Sequence, residues 1–134
     1  MKQKRNKVLC IDSDSSFLKN QKAILQRNEL DDYFFAFKDF RRAIQFIEKE
    51  IISNGEHVHY ILLDEKIPGK KLTDSLEKIA SFKTYLKEPD VIVSTEKRSD
   101  ELRNIVMQYP FVSAFLVKPI PEKYIQFLIT GKSA

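Results

Sequence analysis

Ile61-Leu62-Leu63 is a run of three aliphatic residues that delivers one carboxylate, Asp64, and is followed within four residues by Pro68-Gly69. A short apolar run bounded by turn signals reads as a strand buried on both faces, the habit of a parallel sheet covered by helices. Asp64 then stands where a buried strand stops. In open parallel sheets the loops leaving the carboxyl ends of the strands form the ligand crevice. Three further runs end likewise: Val8-Leu9-Cys10-Ile11 at Asp12, Val91-Ile92-Val93 at Ser94-Thr95, and Phe115-Leu116-Val117 at Lys118-Pro119. Two carboxylates, a hydroxyl and an ammonium at strand exits outline a phosphoryl site.

Helical patterns fill the intervals. Asp12-Ser13-Asp14-Ser15-Ser16 is rich in capping residues and precedes Phe17, Leu18, Gln21, Ile24 and Leu25 at near-helical spacing. Tyr33-Phe34-Phe35-Ala36-Phe37 is β-prone, and Phe40, Ala43, Ile44, Ile47 and Ile51 predict a helix reaching about Ile52, closed by Ser53-Asn54-Gly55-Glu56. A third helix is predicted from about Thr73 through Leu76, Ile79, Ala80 and Leu86, broken by Pro89-Asp90. A fourth carries Leu102, Ile105 and Val106 with Ser99 or Asp100 as its cap; a fifth opens at Pro121 and ends at Gly131. Five strands alternating with five helices predict an α/β, doubly wound parallel sheet.

At 134 residues, one domain spanning 1–134 with a core of about 7–130 is expected. No apolar run approaches the ~20 residues of a membrane span, and four apolar residues after Lys7 are too few for a signal-peptide core. A cytoplasmic protein with no membrane partner is expected. The single Cys10 reads as a buried small hydrophobe. The net charge of +4 owes much to the basic residues among the first seven, which have no interleaved aromatics to stack on bases, so no direct nucleic-acid binding is expected.

Together these residues resemble the response-regulator receiver domain, the chemotaxis-type phosphoacceptor module of two-component signalling. The likeness runs from Val8 to Leu128: an acid after strand one, an aspartate with Pro-Gly four residues on after strand three, a hydroxyl after strand four, and Lys-Pro after strand five. The resemblance implies a flavodoxin-like (βα)5 sheet in the order 2-1-3-4-5. It also implies Asp64 as phosphoacceptor, Asp12 in a Mg2+ site with Asp64 and the Lys66 backbone carbonyl, and Lys118 on the phosphoryl group. A carboxylate can hold a phosphoryl group as an acyl phosphate, while cations and a hydroxyl meet the charge on its oxygens. The hydroxyl is Thr95 or Ser94; Thr95 is preferred because its spacing of 23 to Lys118 is nearer the family pattern than 24 from Ser94. Phe115 occupies the family's aromatic switch position, and Lys118-Pro119 is expected to be cis. The implied partners are a histidine kinase or phosphotransfer protein and a downstream protein; no enzymatic turnover of an external substrate is implied.

Three features depart from the family pattern. Ser13 replaces the second acid, the direct metal ligand, so magnesium binding should be weak unless Asp14 compensates; Asp14 is also the natural N-cap of the first helix. Lys70-Lys71-Leu72 replaces the usual acid and glycine after Pro68-Gly69, and the segment 53–58 lengthens the gap from Asp12 to Asp64. His57 and His59 lie in or beside that segment and, with no cysteine partner, read as surface or strand-edge residues. Two other functions compete. A degenerate receiver would bind a partner without phosphorylation. A haloacid-dehalogenase-type phosphatase would use Asp12 as nucleophile and Asp14 as acid-base, but lacks the downstream acidic pair and leaves Asp64 without a role.

Overall fold

The computed structural model describes residues 5–81 and 89–131. Five strands, β1 (Val8–Ile11), β2 (Phe34–Phe37), β3 (Tyr60–Asp64), β4 (Asp90–Thr95) and β5 (Val112–Val117), pair in parallel in the order β2-β1-β3-β4-β5. Helices α1 (Ser15–Arg27), α2 (Phe40–Phe46), α3 (Leu72–Ala80), α4 (Asp100–Val106) and α5 (Tyr124–Thr130) follow the strands in turn. The fold is the doubly wound α/β arrangement that the alternation predicts, in the flavodoxin-like strand order that the resemblance implies.

Strand pleating sorts the core into two layers. Leu9, Ile11, Leu63, Val91 and Val93 face α2, α3 and α4, where Phe40, Ala43, Ile44, Leu76, Ile79 and Val106 meet them. Val8, Cys10, Leu62 and Ile92 face α1 and α5, through Leu18, Leu25, Ile125 and Ile129. β1, β3 and β4 are buried on both faces, and each fully buried leucine or isoleucine there stabilises the fold by about 1.5–3 kcal/mol. Burial pushes the Cys10 thiol up, foremost by desolvation and then through Asp12, so it stays a packing thiol.

Local chemistry sets the helix ends. Asp14 Oδ1 accepts from Ser16 N and Phe17 N at 3.0 and 3.1 Å, which makes Asp14 the N-cap of α1. Ser99 Oγ accepts from Leu102 N at 3.1 Å and caps α4. The single helix predicted from Phe40 to about Ile52 is divided: α2 ends at Phe46, a π-helical turn covers Ile47–Ile51, and a 3-10 turn covers Ile52–Asn54. Its stop is where the residues predict, with Gly55 at φ 70° donating its N–H to the Ile52 carbonyl. α3 is described only to Ala80, so the predicted extension to Leu86 lies outside the described residues. Pro121 does not start α5 directly; its carbonyl accepts from Tyr124 N and leads into the helix one turn later.

Candidate phosphoryl site at the carboxyl ends of β1, β3, β4 and β5

The same pleating that sorts the core aims the site. Asp12 continues the parity of Val8 and Cys10, Asp64 that of Leu62, and Ser94 that of Ile92, so all three fall on the α1/α5 side of the sheet. The ladder extends one residue beyond the strands through Asp12 N to Phe37 O, Glu65 N to Ser94 O and Lys118 N to Thr95 O, at 2.8–2.9 Å. These bonds fix the first residue of each loop. Their side chains start from rigid backbone.

Lys118 Nζ lies 2.8 Å from Asp12 Oδ2 and 3.0 Å from Asp64 Oδ1. Ser94 Oγ donates to Asp64 Oδ1 at 3.2 Å, and Lys66 N donates to Asp64 Oδ2 at 3.3 Å. Asp12 Oδ1 accepts from Asp14 N at 2.9 Å. Both carboxylates are nearly inaccessible, 2% and 5% exposed for Asp12 and Asp64. One ammonium thus serves two buried carboxylates, leaving a net negative charge in a poorly solvated place. The proton affinities reflect this. Burial raises the Asp12 pKa, the hydrogen bonds from Lys118 and Asp14 oppose that rise, and Asp64 adds to it. Burial alone would lower the Lys118 pKa, but Asp12 and then Asp64 outweigh it and hold the ammonium above its ordinary value.

The hydroxyl beside Asp64 is that of Ser94, which corrects the preference for Thr95. β3 and β4 pair Asp64 with Ser94, and Thr95, one residue on, takes the opposite face with Val91 and Val93. Its hydroxyl is engaged by the Glu65 carboxylate and the Lys97 carbonyl. Counting back from Lys118 misleads because the β4–β5 pairing shifts register between Val91 and Ile92.

Asp14 is the helix cap and not an acid turned into the site. Ser13 is exposed, and its hydroxyl donates to the Lys66 carbonyl at 3.4 Å. That carbonyl is the one the family would turn to a metal. Between Asp12 and Asp64 the Lys118 ammonium fills the place of a cation, and a divalent cation would have to share the two carboxylates with it. Among the described residues no group of three His, Cys, Asp or Glu side chains is placed to hold a metal, and Asp12 and Asp64 are the two carboxylates that could face one here. Lys66 Nζ and Glu96 Oε2, 3.6 Å apart and both exposed, face each other across the β3–α3 and β4–α4 loops. Pairs so exposed contribute at most about 1 kcal/mol.

Phe115 is half-buried and packs against the α2–α3–α4 layer, on the opposite side of the sheet from Asp64. It lines a cavity of about 360 Å³ with Arg98, Ser99, Asp100, Arg103 and Val117. The Lys118-Pro119 peptide is cis. His57 and His59 lie with ring centroids 4.4 Å apart and planes tilted by 51°, and His59 Nδ1 accepts from Lys7 N at 2.8 Å, so His59 ties the residue before β1 to the loop before β3. No helix among the described residues is long and apolar enough to cross a membrane.

No family model matches the sequence, and no curated protein matches it. Solved structures do. The chain is similar to the signal receiver domain of a Vibrio parahaemolyticus protein, with 28% identity, 91% of this chain and 85% of that chain covered, and a TM-score of 0.70. The chain has the fold of a response-regulator receiver domain. A two-component response regulator from Cytophaga hutchinsonii superposes with a TM-score of 0.73 at 18% identity, covering 94% and 95% of the two chains. A Burkholderia pseudomallei response regulator solved with a phosphorylated aspartic acid and a calcium ion superposes at 0.68 with 16% identity, covering 92% of this chain and 66% of its own. In this receiver fold, Asp12, Asp64, Ser94 and Lys118 occupy the crevice at the switch between β1 and β3.

Proposed function

We propose that this receiver accepts a phosphoryl group on Asp64 from a histidine kinase or phosphotransfer protein and signals by contact with a downstream protein. The observation that carries the reading is the convergence of Lys118 and Ser94 on Asp64 Oδ1, at 3.0 and 3.2 Å, beside the Asp12 carboxylate. Asp64 Oδ2 accepts only the 3.3 Å bond from Lys66 N among these, so it is the less engaged oxygen and the natural nucleophile. Its lone pair attacks phosphorus, the P–N bond to the donor imidazole breaks, and the imidazole leaves with the bonding pair. Lys118 and the Ser94 hydroxyl then have phosphoryl oxygens to meet, and the extra negative charge of about −1.5 to −2 draws both toward it. A divalent cation held by Asp12, Asp64 and the Lys66 carbonyl would add positive charge against those oxygens.

Phosphorylation on Asp64 is tested by incubating the chain with acetyl phosphate and magnesium and mapping the modified residue by mass spectrometry. One phosphoryl group on the peptide holding Asp64, absent in Asp64→Asn, supports the reading. Label on Asp12 instead would reopen the phosphatase alternative. Ser13, at the position where the family places a metal-binding acid, favours a second reading: a receiver that binds its partner without phosphorylation. No label and no response to beryllofluoride at millimolar magnesium would select that one.

A further inference from the structure

Thr95, the last residue of β4, is fully buried, and its hydroxyl has two acceptors. One is Oε1 of Glu65, the residue after Asp64; the other is the Lys97 carbonyl oxygen at 3.1 Å. A hydroxyl carries a single hydrogen, and a carboxylate and a carbonyl both offer only lone pairs. The hydrogen points squarely at one of them at a time. Thr95 therefore has two alternative bonds in a place where water does not compete for its hydroxyl.

The two bonds tie different parts of the fold together. On Glu65 the hydroxyl links the end of β4 to the β3–α3 loop, beside the bond from Glu65 N to the Ser94 carbonyl at 2.9 Å. On Lys97 it closes a turn within the β4–α4 loop itself, whose next residues, Arg98 and Ser99, line the 360 Å³ cavity with Phe115. Ser99 is also the cap of α4. The bond to a carboxylate is the stronger of the two, so Glu65 holds the hydroxyl in the unmodified protein. Glu65 is only half-buried, so its side chain has room to turn toward water, whereas Thr95 has none.

We propose that the Thr95 hydroxyl is a two-position latch, held by Glu65 at rest and passed to the Lys97 carbonyl when negative charge is added to Asp64. The hand-over is a rotation about the Cβ–Oγ1 bond and moves no proton between residues. Its trigger rests on the reading of Asp64 as the phosphoacceptor. A phosphoryl group adds about −1.5 to −2 of charge one residue from the Glu65 carboxylate, and like charges separate. Glu65 turns to solvent, the hydroxyl turns to Lys97, and the β4–α4 loop tightens toward the cap of α4. The route runs on the α2–α3–α4 side of the sheet and does not use the Ser94 hydroxyl, which stays with Asp64 on the other side.

The test is backbone NMR on the full chain, first with no phosphoryl analogue. Glu65→Ala, a change at a half-buried loop position, removes the favoured acceptor, so the Lys97 carbonyl carbon should move downfield and the Arg98 amide should move with it. In a Thr95→Val background the same Glu65→Ala change should leave both signals in place, and in a Thr95→Ser background the shift should return. Beryllofluoride with magnesium is then added. In the wild type it should move the Lys97 and Arg98 signals in the direction that Glu65→Ala moves them; in Thr95→Val the Asp64 signals should respond and the Lys97 signals should not. Lys97 signals that Glu65→Ala leaves in place, or moves equally without the Thr95 hydroxyl, overturn the latch. A wild-type response at Asp64 with none at Lys97 overturns its trigger. A wild type whose Asp64 ignores beryllofluoride overturns the phosphoacceptor reading and the trigger with it, while the Glu65→Ala comparison still decides the latch.

Discussion

Ser94 Oγ donates to Asp64 Oδ1 at 3.2 Å from the paired position on the neighbouring strand, while Thr95 beside it faces the other layer. Two adjacent hydroxyls at one strand end therefore have different tasks. Ser94→Ala is expected to slow phosphorylation of Asp64 by acetyl phosphate about tenfold, the scale of a lost hydrogen bond to a charged group. Thr95→Val keeps the shape, and its rate should stay near wild type. Equal effects of the two changes, measured on the same phosphorylation time course, would show that the pleat does not divide their roles.

Why the residues alone pointed to Thr95 has a physical cause. Ile92 and Val93 are both buried, one on each layer, so β4 has no polar alternation to reveal which face Ser94 takes. The choice lies in the register between β3 and β4, which no local pattern encodes. What was legible was whatever punctuates: apolar runs halted by Asp12, Asp64 and Lys118, Asp14 and Ser99 as caps, Gly55 and Gly131 as stops at φ 70°. The π-helical turn at Ile47–Ile51 was not legible, because Ile47 and Ile51 are four apart and read as an ordinary helical pair. Gln21, buried with no donor to its Oε1 among the described residues, was visible only as a polar gap in an apolar stripe.

Ser13→Asp restores a carboxylate beside the Lys66 carbonyl, where the serine hydroxyl now sits at 3.4 Å. A charge at about 4 Å from a cation is worth about 1–4 kcal/mol between bulk water and an effective dielectric of 20. Magnesium affinity, followed by NMR titration, should rise at least about tenfold. An unchanged affinity would mean that position 13 does not reach the cation.

Asp14→Ala removes the acceptor for Ser16 N and Phe17 N and should cost about 1 kcal/mol in urea unfolding. The same variant should bind magnesium as the wild type does, because its carboxylate serves the helix end. Loss of magnesium binding with intact stability would assign Asp14 to the metal instead.

Asp12→Asn tests the strain of two buried carboxylates on one ammonium. The Asp12 pKa is raised in the fold by burial and by Asp64, so the folded state prefers the protonated acid and its ionisation works against folding. Stability from this group is present below its unfolded pKa of about 3.9 and is lost as pH rises through the higher folded value. Asparagine keeps an oxygen for Asp14 N without the charge, so Asp12→Asn should be more stable than wild type at pH 7, by about 1 kcal/mol in urea unfolding. That advantage should shrink as pH falls toward about 4, where wild-type Asp12 is itself protonated. Lys118 carries the opposite dependence: its raised pKa stabilises the fold below about pH 10.4, and that contribution fades as pH climbs through the folded value. A variant less stable than wild type at pH 7 would mean that Asp12 gives the fold more through its pair with Lys118 than its burial costs.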